Sequence, residues 1–204
     1  MEIVIEQVIS SHDKAAAGRI RTAVFESEMG IELARLETPE NAFSLDLLAR
    51  VEPEGEAVAA LRVVDTTSDT ELHRRCQLAF DPGMRTARYT QLAVLKAYRG
   101  IDIPLMLMLE AHRQFVRPNG FDMSWLLFAA QRAHSSFLCR HLDFSPQESV
   151  VEAEYGLCRA LVRNERALGI EQTIQRAEQY LARSTTSQYA RRIFAQERQY
   201  CYPS

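Results

Sequence analysis

The sequence contains no apolar run of 18 residues, so we expect no helix that crosses a membrane. Its first ten residues, MEIVIEQVIS, carry acidic side chains where a signal peptide begins with basic ones. Both absences favour a cytoplasmic protein. The composition is that of a globular chain, since 47% of the 204 residues are hydrophobic and 25% are charged, which is enough for one core.

Paired cysteines and histidine motifs are also missing. The four cysteines lie far apart in the sequence and form no CxxC pair, and the five histidines form no HExxH. This spacing favours reduced thiols over a disulfide framework or a zinc site. We therefore expect no metal and no tightly bound cofactor.

Lysine is scarce, because only Lys14 and Lys96 accompany 22 arginines among the 24 basic residues. The net charge is −3, but residues 156–204 hold eight Arg and four Glu, or +4, which leaves −7 for residues 1–155. A basic C-terminal segment can meet phosphates or an acidic partner, or it can be a solvated helix face. Both interpretations stay open here, and we expect no nucleic-acid partner.

The first half of the chain predicts a strand, a helix and a hairpin. Polar and apolar residues alternate over Glu2–Ile9, and apolar residues then follow a helical spacing up to Met29, where Gly30 ends the helix. Leu45–Val51 and Ala57–Val64 flank a turn and predict a β-hairpin. Residues 66–86 form a connection with one helical turn.

The centre of the chain reads as strand, basic turn, helix and strand. The predicted strands are Tyr89–Leu95 and Phe121–Ala130, joined by a helix from Ile103 to about residue 117. A crossover through a helix of this length makes the two strands central, neighbouring and parallel. The turn brings the cations of Lys96 and Arg99 to a helix N-terminus, where an anion is favoured.

The remainder predicts a helix over Gln131–Leu142, one or two strands over Val150–Val162, and two C-terminal helices, Ile170–Arg183 and Ser187–Tyr200. We divide the chain into a domain of residues 1–163 and a helical extension of residues 164–204. The extension is too short to bury its own core, so it packs on the domain or on a partner subunit and offers a route to an oligomer. Its predicted inward stripe is Ile170, Ile174, Ala177 and Leu181.

Three segments carry a resemblance to a known family. They are QLAV followed by KAYRG (residues 91–100), the apolar run Phe121–Ala130, and Cys139–Phe144. In this order they resemble the GNAT acyltransferase superfamily. The resemblance implies an α/β fold with a GNAT-like mixed central sheet flanked by helices, here followed by the C-terminal helical extension.

The N-terminal half narrows the resemblance. Arg21–Phe25, Leu47–Arg50 and Ala60–Thr66 are similar to the acyl-homoserine lactone (autoinducer) synthases and the N-acyl amino acid synthases. This implies transfer of a fatty acyl group from an acyl carrier protein or coenzyme A thioester to the amine of an amino acid or amino-acid-derived acceptor. It places Arg21, Phe25 and Arg62 on the acceptor side. From the residues alone, Phe25 fits core packing and the two arginines fit surface ion pairs.

The resemblance places the donor on one continuous segment. The expected donor-binding residues are Leu92, Ala93, Val94, Lys96, Arg99, Gly100, Ile101 and Asp102. The R-x-x-G-x-G pattern of coenzyme A-binding members is absent, because Asp102 and Pro104 occupy its two glycine positions. Asp102 is expected to N-cap the helix and to repel a pyrophosphate, so the sequence predicts delivery of the donor by a carrier protein.

Catalytic groups are harder to place. Cys139 stands where many members have a tyrosine that protonates the leaving thiolate, and it fits either a catalytic thiol or a packing residue. Asp46 is a candidate base by location, together with Glu37 and Glu40. Acyl transfer mainly needs positioning and a stabilised oxyanion, which strand N–H groups can supply.

The large apolar side chains of Met108, Trp125 and Phe128 are the expected acyl pocket, with core packing as the alternative. The homoserine-lactone branch carries Glu and Arg on the fourth strand, where this chain has Arg88 and Gln91. Two other functions remain: a coenzyme A-dependent N-acetyltransferase, or a GNAT-fold binding or regulatory module without catalysis.

Overall fold

The computed structural model describes residues 2–36, 42–99, 102–133, 136–154 and 156–184. Within these residues, seven strands form one sheet: β1 Glu2–Gln7, β2 Ser44–Glu52, β3 Glu56–Asp65, β4 Thr86–Val94, β5 Met123–Ala129, β6 Ser145–Ala153 and β7 Gly156–Asn164. The described part of the chain also holds five α-helices: α1 Ser11–Arg21, α2 Thr70–Arg75, α3 Ile103–Ala111, α4 Phe137–Leu142 and α5 Ile170–Arg183. Helices α1 and α3 continue as π-helical turns, Thr22–Glu28 and His112–Val116.

The sheet has the order β1-β2-β3-β4-β5-β7-β6. Every neighbouring pair is antiparallel except β4 and β5, which are parallel and joined by α3. This confirms the predicted central pair, and the mixed sheet with flanking helices confirms the predicted fold class.

Helices cover both faces of the sheet. On one face, apolar residues of α1, such as Ile20, pack against Leu48, Ala60 and Ala93. On the other face, α3 is buried over almost its whole length, which explains its uninterrupted apolar sequence. Helix α5 belongs to the same core cluster as α3, so this second face carries the larger core.

The ends of several elements differ from the sequence expectations. Strand β4 begins three residues before Tyr89, and the region of Val150–Val162 supplies two strands. The single helix predicted over Gln131–Leu142 is wrong, since a 3-10 turn at Ala130–Arg132 precedes the short α4. Ser136 explains the late start, because it N-caps α4 through its side chain.

The C-terminal extension is described only in part. Helix α5 has the predicted bounds, and Ile174, Ala177 and Leu181 are buried, whereas Ile170 is half-buried. The second predicted helix, Ser187–Tyr200, lies outside the described residues. The division at residue 163 and any oligomer therefore stay predictions. Within the described ranges, no helix is both long and apolar enough to span a bilayer, and no three His, Cys, Asp or Glu side chains are placed to hold a metal.

Candidate acyltransferase site

The two parallel strands diverge after three paired positions. Thr86, Ala87 and Arg88 of β4 pair with Met123, Ser124 and Trp125 of β5, and no pairing follows in the described sheet. On the side of β5, residues 89–94 of β4 therefore have no strand partner, and a wedge-shaped gap opens between the two strands. At about 3.3 Å per residue, these six positions give an open edge of about 20 Å.

A β-bulge interrupts β4 on the opposite edge of the same stretch. Ala60 pairs with Ala93 and Arg62 with Thr90, so two residues of β4 stand opposite Leu61 of β3. Gln91 accommodates the bulge with a left-handed backbone (φ +51°). Its side-chain amide donates to the carbonyl oxygen of Leu36 at 2.9 Å, which ties the bulge to the segment after α1.

A cavity of about 210 Å³ fills the wedge and reaches both faces of the sheet. It is lined by Val24, Phe25, Met29 and Leu36 on the α1 side, by Met108 and Leu138 on the α3 side, and by Leu61, Tyr89, Thr90, Gln91, Leu92, Leu126, Leu127 and Phe128 of the strands. Nearly all of these side chains are apolar. The cavity can therefore hold an acyl chain beside the open edge of β4.

Two of the three side chains expected in an acyl pocket line this cavity, namely Met108 and Phe128. The expectation for Trp125 is wrong. Its side chain is fully buried on the other side of β5, in a separate cluster with Leu72 and Leu78, and its indole N–H donates to Thr66 Oγ1 at 3.1 Å. Successive residues of a strand point to opposite faces of the sheet. Leu126 points toward α3, so Trp125 points away from α3.

Arg21, Asp46 and Arg62 form one cluster next to the cavity. The Asp46 carboxylate forms an ion pair with Arg21, and its second oxygen lies 3.7 Å from Arg62 Nε. Arg62 also donates to Ser44 Oγ at 3.2 Å. Two cations thus share one carboxylate, and within the described residues the buried Nε atoms of both arginines have no hydrogen-bond partner. The cluster can accept a further anionic group.

The cluster adjoins the cavity through two neighbours. Arg62 stands opposite Thr90 in the sheet, and Phe25 lies one helical turn after Arg21; both Thr90 and Phe25 line the cavity. Phe25 is buried, so it serves both core and cavity. The structure thus brings together the three residues that the resemblance placed on the acceptor side. Arg88 is not part of this cluster, and its guanidinium lies 5.2 Å from the centre of the Trp125 indole.

The basic turn after β4 is only partly available to an anion. Arg99 forms an ion pair with Glu28 at 2.7 Å and donates to the carbonyl oxygen of Val94 at 3.0 Å. Lys96 is exposed and forms no ion pair with any described residue. Of the remaining expected donor residues, Leu92 lines the cavity and Ala93 packs under α1, while Gly100 and Ile101 lie outside the described residues.

Asp102 occupies the N-cap position of α3 but does not cap it. No side-chain capping bond is formed, and the carboxylate instead accepts from the Tyr180 hydroxyl of α5 at 3.4 Å. The expected cap is therefore wrong, although Pro104 does lie in the first turn as expected. The Tyr180 ring also packs on His141 of α4, at 4.4 Å between ring centres. Helix α5 thus contributes a side chain at the N-terminus of α3.

Cys139 does not line the cavity, although its neighbour Leu138 does. Its thiol is half-buried and donates to the carbonyl oxygen of Ala133 at 3.2 Å. The other candidate bases, Glu37 and Glu40, lie outside the described residues. A residue that sequence reasoning missed is Tyr89, which is buried and lines the cavity. Nothing in its sequence context separates it from a core aromatic residue.

Comparison with solved structures supports the fold. An acyl-CoA N-acyltransferase from Pseudomonas aeruginosa superposes with a TM-score of 0.55 at 16% identity, over 79% of this chain and 98% of that one. FeeM, an N-acyl amino acid synthase from uncultured soil microbes, gives a TM-score of 0.60 at 13% identity, over 84% and 92%. BjaI, a CoA-dependent acyl-homoserine lactone synthase solved with SAM and isopentyl-CoA, gives 0.59 at 14%, over 86% and 89%.

No family model matches the chain, and no curated protein is similar to it in sequence. At these identities, the structural matches show that the chain has the GNAT acyltransferase fold. They include both branches to which the N-terminal half of the sequence is similar.

Proposed function

We propose that this protein is an N-acyltransferase that moves a fatty acyl group from a thioester to the amine of an amino acid or amino-acid-derived acceptor. One observation carries the proposal: the apolar cavity in the wedge lies between an open strand edge and the cluster of Arg21, Asp46 and Arg62. These are the three parts that such a reaction needs, namely a place for an acyl chain, a place for an extended thioester arm and a site for an anionic group on the acceptor.

The donor arm would lie along β4. Its amide groups can pair with the open edge of residues 89–94 as an added strand does, and its phosphate would lie near Lys96 and the N-terminus of α3. The thioester would then reach the bulge at Gln91. A bulge leaves backbone groups unpaired, and such N–H groups can stabilise an oxyanion.

The carboxylate of the acceptor would bind to Arg21 and Arg62. The amine of the acceptor would then point toward the cavity. The amine attacks the thioester carbon, a C–N bond forms, the C–S bond breaks, and the thiol leaves with the proton that the amine gives up. We assign to Asp46 the orientation of the two guanidinium groups, because both contact its carboxylate. Cys139 remains a proposed proton donor only if α4 moves, since its thiol is engaged by Ala133.

The test of this function is mass spectrometry of lipids from cells that express the chain. New N-acyl amino acids that disappear in the Arg62→Gln variant would support the proposal. Folded protein that produces none, and that transfers no acyl group from acyl coenzyme A or acyl carrier protein in vitro, would favour a binding or regulatory module instead.

A coenzyme A-dependent N-acetyltransferase is a second candidate, and one observation favours it. The Asp102 carboxylate turns to Tyr180, so it does not occupy the first-turn N–H groups of α3, where a pyrophosphate would bind. The arm of a carrier protein has a single phosphodiester, so a carrier-bound donor would place less negative charge near the Asp102 carboxylate than the pyrophosphate of coenzyme A would. We therefore retain the carrier-bound donor as the proposal and coenzyme A as the alternative.

Asp102→Asn should strengthen binding of acyl coenzyme A about threefold and leave binding of an acylated carrier protein nearly unchanged. The gain comes from lost repulsion, because two unit charges about 6 Å apart repel by about 0.7 kcal/mol at the dielectric constant of water, and this is about threefold in affinity. Calorimetry at low salt measures both affinities, with Asp81→Asn in an exposed turn as the matched control. Tight binding of acyl coenzyme A that does not change in Asp102→Asn would show that this carboxylate does not govern donor choice.

A further inference from the structure

An ion pair joins the wall of the cavity to the turn after β4. Glu28 is the last residue of the π-helical turn Thr22–Glu28, and its carboxylate lies 2.7 Å from the guanidinium of Arg99. Phe25 of the same turn and Met29, which follows Glu28, both line the cavity. The pair therefore connects the α1 side of the wedge with the turn near which the phosphate of the donor would lie.

The same guanidinium also contacts the open edge of β4. Arg99 Nε donates to the carbonyl oxygen of Val94 at 3.0 Å. The next residue, Leu95, donates its backbone N–H to Val58 of β3. In an antiparallel ladder, successive residues turn their backbone groups to opposite edges, so the Val94 carbonyl points away from β3 and toward the open edge. Arg99 therefore occupies a backbone acceptor that an extended donor arm can use.

Both contacts of Arg99 are of a kind that the donor can replace. A phosphate is an anion with oxygen acceptors, as the Glu28 carboxylate is, and arginine binds either group through the same fork of N–H donors. An amide N–H of the donor arm can take the place of the Arg99 N–H at Val94. The pair is open to solvent, since the Arg99 and Glu28 side chains are 45% and 32% exposed, so a ligand can reach it.

We propose that Glu28 sets the affinity for the donor by competing with the donor phosphate for Arg99. This inference rests on the position of the thioester arm in the proposed function. When the donor binds, Arg99 exchanges the Glu28 carboxylate for the phosphate and leaves the Val94 carbonyl, which then accepts from an amide of the arm. The free protein must therefore break one ion pair before it forms the next, and this lowers its affinity for the donor.

Glu28→Gln should strengthen binding of butyryl phosphopantetheine about fourfold, since an exposed ion pair changes an equilibrium by up to about fivefold. The amide keeps the size of the side chain and removes the charge that holds Arg99. Calorimetry at low salt, without an acceptor, measures the affinity. Butyryl pantetheine, which lacks the phosphate, should gain little. Glu32→Gln is the matched control, because Glu32 pairs with Arg35 on the surface close after Glu28 in the sequence, and it should leave both affinities unchanged.

A double-mutant cycle tests whether Arg99 is the group for which the two anions compete. Arg99→Gln should weaken binding of butyryl phosphopantetheine, and Glu28→Gln should add little in that background, because the shared cation is gone. A gain of the same size in the Arg99→Gln background, or an equal gain for butyryl pantetheine, would overturn the competition. The urea midpoint of Glu28→Gln should stay close to that of wild type, because the pair is exposed.

The binding measurement separates this inference from the proposed function, because it needs no acceptor and no acyl transfer. Tighter binding in Glu28→Gln, with no N-acyl amino acid formed by cells, would support the role of Glu28 and reject the proposed function. Equal affinities of wild type and Glu28→Gln for butyryl phosphopantetheine would overturn the role of Glu28, even where N-acyl amino acids are found. No binding to either protein would overturn both.

Discussion

Replacing Arg62 with glutamine should raise the KM of an amino acid acceptor about 100-fold while kcat changes little. Arg62 is largely buried, and its charge is only partly neutralised by Asp46 at 3.7 Å, so it is available to an acceptor carboxylate. Truncating one partner of a desolvated charge pair costs about 2–5 kcal/mol, and about 1.4 kcal/mol corresponds to a tenfold change. Steady-state kinetics with the acceptor varied at saturating donor measures this effect.

The fold should survive this change, because Asp46 retains its ion pair with Arg21. Arg74→Gln is the matched control: Arg74 pairs with Glu71 on the surface of α2, far more exposed than Arg62. It should not alter the KM of the acceptor. An equal KM for Arg62→Gln and wild type would remove Arg62 from the acceptor site, and the proposed orientation of the acceptor with it.

Glu165→Gln should lower the free energy of unfolding by about 3–5 kcal/mol, the usual cost of breaking a buried ion pair by removing one partner. Glu165 and Arg163 are almost fully buried and lie 2.7 Å apart, and Ser124 donates to the same carboxylate oxygen. The amide would leave the Arg163 charge buried without its counter-ion. Urea denaturation followed by the fluorescence of Trp125, the single tryptophan, measures the loss.

The effect should depend on pH in a defined direction. Burial alone would raise the pKa of Glu165, but Arg163, with His112 and Ser124, holds it below the ordinary value of 4.5. The stability that Glu165 contributes is therefore complete above pH 4.5 and is lost as the pH falls through the lower pKa of the folded state. The difference between wild type and Glu165→Gln should shrink in acid.

Glu71→Gln on the surface of α2 provides the comparison, since its pair with Arg74 is exposed and should leave the urea midpoint unchanged. A difference between wild type and Glu165→Gln that stays constant from pH 7 to about pH 3 would mean that the carboxylate is not the source of the stabilisation.

The order of elements could be predicted because each carries a local signal. The alternation of polar and apolar residues identified β1, and two apolar runs about a turn identified the β2–β3 hairpin. The helical period of apolar residues identified α5 with the ends that the structure shows. The central pair followed from the length of the crossover. The split of the region after β5 into a 3-10 turn and α4 was missed, because the Ser136 cap was not used.

The candidate site was predictable only in part. Arg21 and Arg62 were placed near each other by the resemblance, and the structure brings both to the Asp46 carboxylate. The side of β5 to which Trp125 points depends on the packing of the sheet, and the partner of Asp102 is supplied by a helix distant in sequence. Neither follows from the local sequence. Tyr89 was missed because a buried tyrosine that lines a cavity has the same sequence signature as one that only packs in the core.

The sequence by itself determined the succession of strands and helices and the parallel central pair, because hydrophobic period and connection length are local properties of the chain. It also determined the absence of the glycines of a coenzyme A-binding turn. Only the tertiary structure decided where β4 and β5 separate, that Gln91 forms a left-handed bulge, and that a cavity crosses the sheet there. These features depend on twist, register and packing between residues distant in sequence, and no local pattern of residues encodes them.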